Sequence, residues 1–327
     1  MPTMNVLAEY SGKTVAITGG CGYIGTALAE ALKGQAQKTL CVSRRSLRHP
    51  GNSDHEIVEA DIRTPCCWEN IVRRADIIFH LAGNTSVYAA AHDPAESLNS
   101  TVLPINHLIA AAQATGRRPR VVFASTATVH GLTDKLPVSE SDPANPSTFY
   151  DLHKLFAEMQ LALATKQGIL ASVALRLANV YGPSLGSSAA EDRGILNKIA
   201  RMALQGKNLR IYGHGNYLRD YVYIDDVVRA FLVAGITGGV EGQNLFVASG
   251  VGIAVKQAFQ TVADQAAKVT GRRVLIEHVD WPPGADPIEH RNFIADITGI
   301  SDKLKWMPEV DLKNGIRRLI GANNGTN

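Results

Sequence analysis

Two residues four apart, Tyr150 and Lys154, offer the clearest chemistry in the chain. On a helix that spacing puts both side chains on one face. An ammonium lowers the cost of forming a phenolate. Tyr150 could then remove a proton from a hydroxyl as hydride leaves, or return one in reduction. Of the nine tyrosines, only Tyr150 has a lysine four residues later. Such pairs also arise by chance, so the surrounding elements must carry the case.

The β-rich run Val121–Ser125 leads into Thr126-Ala127-Thr128-Val129-His130-Gly131. A hydroxyl there sits at the C-terminal edge of a strand, where ligands of parallel sheets gather. Thr126 could hydrogen-bond the same oxygen that Tyr150 protonates, although a plain Ser/Thr turn would read the same way. His130 is as readily a packing residue as a switch and receives no role.

Near the start, Thr14–Thr18 runs into Gly19-Gly20-Cys21-Gly22-Tyr23-Ile24-Gly25, and a helical pattern follows. Glycines permit the tight turn, close approach of backbone to a pyrophosphate and close strand–helix packing. The helix N-terminus would turn its amides towards the anion. About 18 residues further on, where NAD-binding folds carry an acid for the ribose, stands Ser43-Arg44-Arg45. A hydroxyl and two guanidiniums suit a 2′-phosphate, so NADP(H) is favoured over NAD(H). The alternative is a solvated basic loop. Asp61, after the next strand, could meet adenine or cap a helix.

These residues need a scaffold, and the first half supplies one. Strand candidates Thr14–Thr18, Thr39–Val42, Ile57–Glu59, Ile77–Leu81, Val121–Ser125 and Ser172–Leu177 are interleaved with helical runs. The clearest of those runs are Ala27–Lys33, Ala95–Thr115 and Tyr150–Lys166. Near-continuous apolar strands alternating with helices predict a doubly wound parallel sheet of Rossmann type. After Gly182-Pro183 the texture becomes richer in Gly, Ser and Pro. The expected division is a dinucleotide-binding domain over 1–180, with a return segment near 219–248, and a smaller α/β substrate lobe over 181–327. The tail from Gly321 has no apolar periodicity and is expected to fray.

Composition excludes several classes. Across 327 residues the chain is 45% hydrophobic and 19% charged, with a net charge of +3. That is a globular balance without the basic surface of a nucleic-acid binder. No apolar run reaches the roughly 18 residues of a membrane span. The four cysteines form no disulfide or zinc framework, so a cytoplasmic protein without a metal is expected.

Taken in order, the motifs resemble the extended short-chain dehydrogenase/reductase superfamily, in its nucleotide-sugar epimerase/dehydratase branch. The matching pieces are Thr18–Gly25, His80-Leu-Ala-Gly83, Ser125–Gly131, Tyr150-x-x-x-Lys154, Arg176–Pro183 and Arg219–Asp226. The resemblance implies that Gly19, Gly22, Tyr23, Ile24 and Gly25 hold the pyrophosphate. It implies Asp61 and Ile62 at adenine, with Leu81, Ala82, Gly83 and Asn99 along the ribose and nicotinamide. Thr126, Tyr150 and Lys154 would be the catalytic triad. Asn179 and Arg219 would hold the diphosphate of a nucleotide-diphosphate sugar, with Arg291 a weaker second candidate. Many relatives dimerise through two helices, and the apolar faces of Leu98–Ala112 and Leu152–Ala164 suit either a homodimer or an internal core.

Departures from the family pattern narrow the reaction. Dehydratases of the family carry an acidic pair after the catalytic threonine, where this chain has Ala127-Thr128, which argues against dehydration. Two readings follow: an epimerase working through a transient keto-sugar, and an NADPH-dependent reductase of a nucleotide-linked 4-keto-6-deoxysugar. A non-catalytic dinucleotide sensor is disfavoured, because both Tyr150 and Lys154 are present.

Overall fold

The computed structural model describes residues 3–44, 55–185 and 194–325, with side chains from Val6 onward. Arg45 therefore lies outside the described residues. Six strands lead: β1 (Thr14–Thr18), β2 (Lys38–Ser43), β3 (His55–Glu59), β4 (Ile77–His80), β5 (Arg120–Thr126) and β6 (Ala171–Leu177). Next come β7 (Asn179–Tyr181), β8 (Leu209–Tyr212), β9 (Leu218–Tyr223), β10 (Gln243–Val247), β11 (Gly252–Ala254) and β12 (Ile276–Val279).

Seven of them form one sheet in the order β10-β6-β5-β4-β1-β2-β3. All its pairings are parallel. This is the Rossmann arrangement anticipated from the alternating apolar runs. The order reverses at β1, which has β4 on one side and β2 on the other, so a crevice opens at their C-terminal ends.

Both sheet faces are covered, which explains why the strands are apolar on both sides. On one face Leu28, Leu32, Val227, Phe231 and Trp306 pack over Val15, Ile17 and Phe79. On the other, Trp68, Ile71, Ile105, Leu108 and Leu161 cover Ile78, Val121 and Phe123. At roughly 25 cal/mol per Å² of buried apolar surface, these two layers are the main source of stability.

Two small sheets complete the molecule: β11-β9-β7, and β12 beside β8. Within 219–248, strand β9 belongs to the first of these, whereas helix Ile224–Ile236 packs under the main sheet and β10 joins its edge. Asp220 ties the pieces together. Its fully buried carboxylate accepts hydrogen bonds from Ser249 N (2.7 Å), Ser249 Oγ (2.6 Å), Gly250 N (2.9 Å) and Ala295 N (3.3 Å).

Three local expectations need correcting. The run Ala95–Thr115 is two helices, Pro94–Thr101 and Leu103–Thr115, because Pro104 cannot donate a backbone hydrogen bond and restarts the helix. The helix after the glycine loop begins at Tyr23 rather than Ala27, inside the motif itself. The tail does not fray at Gly321, since helix Leu312–Asn324 is pinned by buried Ile316, Leu319 and Ile320.

Replacing Asp220 by Ala strands three backbone donors and a hydroxyl in a buried place. Urea denaturation should show a loss of about 3 kcal/mol.

Candidate active site

The glycine loop after β1 is built by contacts that only glycine permits. Gly19 adopts φ +71° and turns the chain out of β1, with its N–H donating to Val42 O at 2.9 Å. A Cβ on Gly25 would lie 2.2 Å from Gly19 O, so any side chain there would force loop and helix apart. Tyr23 and Ile24 begin the helix with their side chains turned inward. The Tyr23 hydroxyl donates to Gly182 O at 2.8 Å, and Ile24 packs into the core. Any contribution of theirs to an anion site would come from the backbone.

At the β2 end stand Ser43 and Arg44, and no carboxylate follows them on the described part of that strand end. Asp61 is committed to its neighbour: Arg63 donates Nε (3.0 Å) and Nη2 (2.6 Å) to the carboxylate. These bonds, with the nearby charge of Arg44 a smaller influence, hold its pKa below the usual range. The cap of the next helix is Thr64, so Asp61 is not that cap. Ile62 faces the core, and its carbonyl accepts from Trp68 Nε1 at 2.7 Å.

Leu81, Ala82 and Gly83 follow β4 directly, and the Ala82 N–H donates to Thr18 Oγ1 at 3.3 Å. Gly83 adopts φ +153°, a backbone conformation that favours glycine. A Cβ there would lie 3.6 Å from Thr101 Oγ1 and 3.7 Å from Lys154 Nζ. Asn99 is exposed on helix Pro94–Thr101, which borders that space.

The helix Phe149–Lys166 starts at Thr148, whose Oγ1 accepts from Asp151 N at 3.1 Å. This cap sets Tyr150 and Lys154 in the first turns. Tyr150 is half-buried, while Lys154 is 4% exposed and donates to Ala124 O at 2.8 Å. The Lys154 ammonium sits 6.0 Å from the Tyr150 ring centroid and 4.9 Å from that of Phe123. Burial pushes its pKa down to about 8, and Glu158 pulls partly back. Thr126 ends β5, beside this helix, and its Oγ1 lies 2.8 Å from Thr128 Oγ1.

In the small sheet β11-β9-β7, Asn179 donates to Asp220 O at 3.1 Å, linking β7 to β9. Arg219 is buried and donates to the carbonyls of Leu218, Glu289 and Arg291. Arg291 donates to Ile288 O at 2.8 Å. Each guanidinium is depressed first by burial, and Arg219, brought to about 10, is lowered further by Arg291. Among the described residues, the hydrogen bonds of both run to carbonyl oxygens. Two adjacent cations without a carboxylate hydrogen bond suit an anionic ligand.

Four relevant groups escaped sequence reasoning. Asp151 is fully buried beside Tyr150 and is bonded by Thr128 and Thr148. Behind Lys154, Glu158 pairs with Arg176 (2.7 Å) and accepts from Ser125 Oγ. Arg176 also donates to His130 Nε2 at 2.8 Å, so the histidine proton sits on Nδ1 and the ring is a neutral packing partner of Phe246. The i, i+4 spacing from Lys154 to Glu158 was the available signal. Among the described residues, no group of three His, Cys, Asp or Glu side chains is placed to hold a metal ion.

A glycine-loop Rossmann sheet, with a tyrosine and lysine at its C-terminal edge, defines a dinucleotide-binding α/β enzyme fold. The chain belongs to the NAD dependent epimerase/dehydratase family, whose model matches residues 15–244. It is 29% identical over 312 residues to a UDP-glucose 4-epimerase of Mycolicibacterium smegmatis, covering 93% of this chain and 96% of that one. It is 26% identical over 334 residues to UDP-glucuronic acid decarboxylase 1 of Danio rerio, covering 98% of this chain and 74% of that one. The crystal structure of UDP-glucose 4-epimerase with UDP-glucose from Thermotoga maritima superposes with a TM-score of 0.85. Its identity is 28%, covering 96% of this chain and 99% of that one.

Lys154→Met removes a buried charge. The native pKa lies below the ordinary 10.5, so the charge costs stability fully below about pH 8, and that cost fades as pH rises towards 10.5. Thermal unfolding at pH 7 should show the variant at least as stable as wild type, with the advantage shrinking above pH 8. Turnover should fall at least about 100-fold.

Proposed function

We propose that the protein is a nucleotide-sugar epimerase that acts through a transient keto-sugar. The observation that carries this reading is the buried Lys154 ammonium beneath Tyr150, with Arg219 and Arg291 supplied by the second lobe. A bound nicotinamide would accept and return the hydride. Gly19, Gly22, Gly25 and the helix N-terminus that follows would hold its pyrophosphate. Leu81, Ala82, Gly83 and Asn99 would border its ribose, and Ile62 with Asp61 its adenine.

Tyr150 takes the proton of the sugar hydroxyl as hydride leaves, and Lys154 stabilises the phenolate. Arg219, Arg291 and Asn179 hold the diphosphate, which leaves the hexose free to turn before hydride returns to its other face. Thr126 contacts the reacting oxygen.

At the β2 end, Ser43-Arg44 without an acid supports a cofactor bearing a 2′-phosphate, so NADP(H) is the preferred dinucleotide. The same feature favours the second reading, an NADPH-dependent reductase of a nucleotide-linked 4-keto-6-deoxysugar. One experiment separates the two. Cofactor released by denaturation is identified by mass, and the protein is assayed with UDP-glucose, UDP-N-acetylglucosamine and UDP-glucuronic acid. Epimerisation without net consumption of added NADPH supports the epimerase; stoichiometric NADPH oxidation with a keto-sugar supports the reductase. Tyr150→Phe should lower turnover at least about 1,000-fold while retaining cofactor binding, and wild-type activity in that variant would refute the proton-transfer role.

The protein also fits a homodimer. Leu152, Phe156, Met159 and Leu163 are between 47% and 61% exposed, and they recur at helical spacing as one apolar stripe. Leu98 adds to the exposed apolar surface from helix Pro94–Thr101. Analytical ultracentrifugation should show a dimer in wild type and a monomer in a Phe156→Glu/Met159→Glu double variant. No described helix is long and apolar enough to cross a membrane. Four free cysteines support placement in a reducing cytoplasm.

A further inference from the structure

Behind the proposed catalytic threonine lies a chain of hydroxyls that ends on a carboxylate. Asp151, 0% exposed, accepts from Thr148 Oγ1 at 2.7 Å through Oδ2 and from Thr128 Oγ1 through Oδ1. Thr128 Oγ1 lies 2.8 Å from Thr126 Oγ1, and Thr128 N donates to Thr126 Oγ1 at 3.2 Å. The charges that act on Asp151 are Arg291, which favours the carboxylate, and Asp286, which opposes it. Burial is the largest influence and raises its pKa, while the two threonine donors pull it back.

Counting protons fixes the direction of the chain. A hydroxyl has one proton and two lone pairs. The Thr128 proton is spent on the Asp151 carboxylate, so the bond between the two threonines must be donated by Thr126. The single proton of Thr126 therefore points into the protein. One of its lone pairs is occupied by Thr128 N, and the other is left for a ligand.

We infer that Asp151, acting through Thr128, is a positioning residue that makes Thr126 a hydrogen-bond acceptor towards the reacting sugar oxygen. The inference rests on the nucleotide-sugar reading of the site. An acceptor can hold the alcohol's single proton until it swings to the Tyr150 phenolate, and offers nothing to the ketone, which has none. Of Thr126, Tyr150 and Lys154, Tyr150 is then the group that donates to the keto oxygen. The internal balance is tilted towards sugar alcohol and oxidised cofactor. A ketone gripped by one donor also turns more readily than one gripped by two, as an epimerase requires.

The test uses the cofactor-loaded protein saturated with UDP-glucose, or with whichever UDP-sugar of the panel wild type converts. The fraction of reduced nicotinamide at equilibrium is read from its near-ultraviolet absorbance. Thr128→Val releases the Thr126 proton to the ketone, so the reduced fraction should rise about fivefold, while Thr128→Ser keeps it at the wild-type level. Asp151→Leu, which leaves Thr128 Oγ1 no acceptor at this position, should shift it in the same direction as Thr128→Val. Should Asp151→Leu fail to fold, the near-isosteric Thr128→Val and its serine control decide alone. A role in packing alone would slow turnover and leave this ratio unchanged. An unchanged or lower fraction in a Thr128→Val protein that still converts the sugar would overturn the inference and spare the proposed function. Failure of wild type to convert or oxidise any sugar of the panel would overturn both.

Discussion

A charged lysine with 4% of its surface exposed is an expensive thing to fold around, and much of the cleft is arranged to keep it. Lys154 is held by one carbonyl, Ala124 O, at the end of β5. Phe123 lies under it, Gly83 borders it, and Glu158 supplies an opposite charge already engaged by Arg176. In the proposed mechanism, low surrounding polarity would let the ammonium act on the Tyr150 phenol with little screening by water. Strand β5 and the cap at Thr148 bring that charge to the end of the sheet.

The rest of the site follows the same economy. Tight glycine contacts close the turn at the β1–helix junction, and Asp220 ties β9, which carries Arg219, to the segments at Ser249 and Ala295. The two guanidiniums are paid for by carbonyl oxygens rather than carboxylates, which leaves their charge available. Asp151 and the three threonines around it add an orientation to the reacting end of the cleft, set by the number of protons three hydroxyls can share.

What could be read from the sequence was what depends on local pattern. The apolar strands, the glycine loop and the Tyr150/Lys154 spacing each follow from periodicity or from steric limits that a few residues impose. Contacts between distant segments could not be read in this way. Nothing in the residues near Asp61 announced that Arg63 would claim its carboxylate, and nothing near His130 pointed to Arg176. Asp151 was hidden differently: it adjoins the tyrosine, but its partner Thr128, and Thr126 beyond it, arrive from another element. The two-helix break was legible in principle, since Pro104 lies inside the run that was read as continuous.

The central claim is that hydride leaves a sugar carbon and returns to the same carbon, with Tyr150 carrying the proton. A UDP-hexose deuterated at C4 tests this most directly, with mass spectrometry and NMR of the recovered sugars. The account predicts a C4-inverted product that keeps its deuterium at C4 and gains none from solvent. Loss of the label to water, or inversion at a carbon that exchanges with solvent, would contradict it.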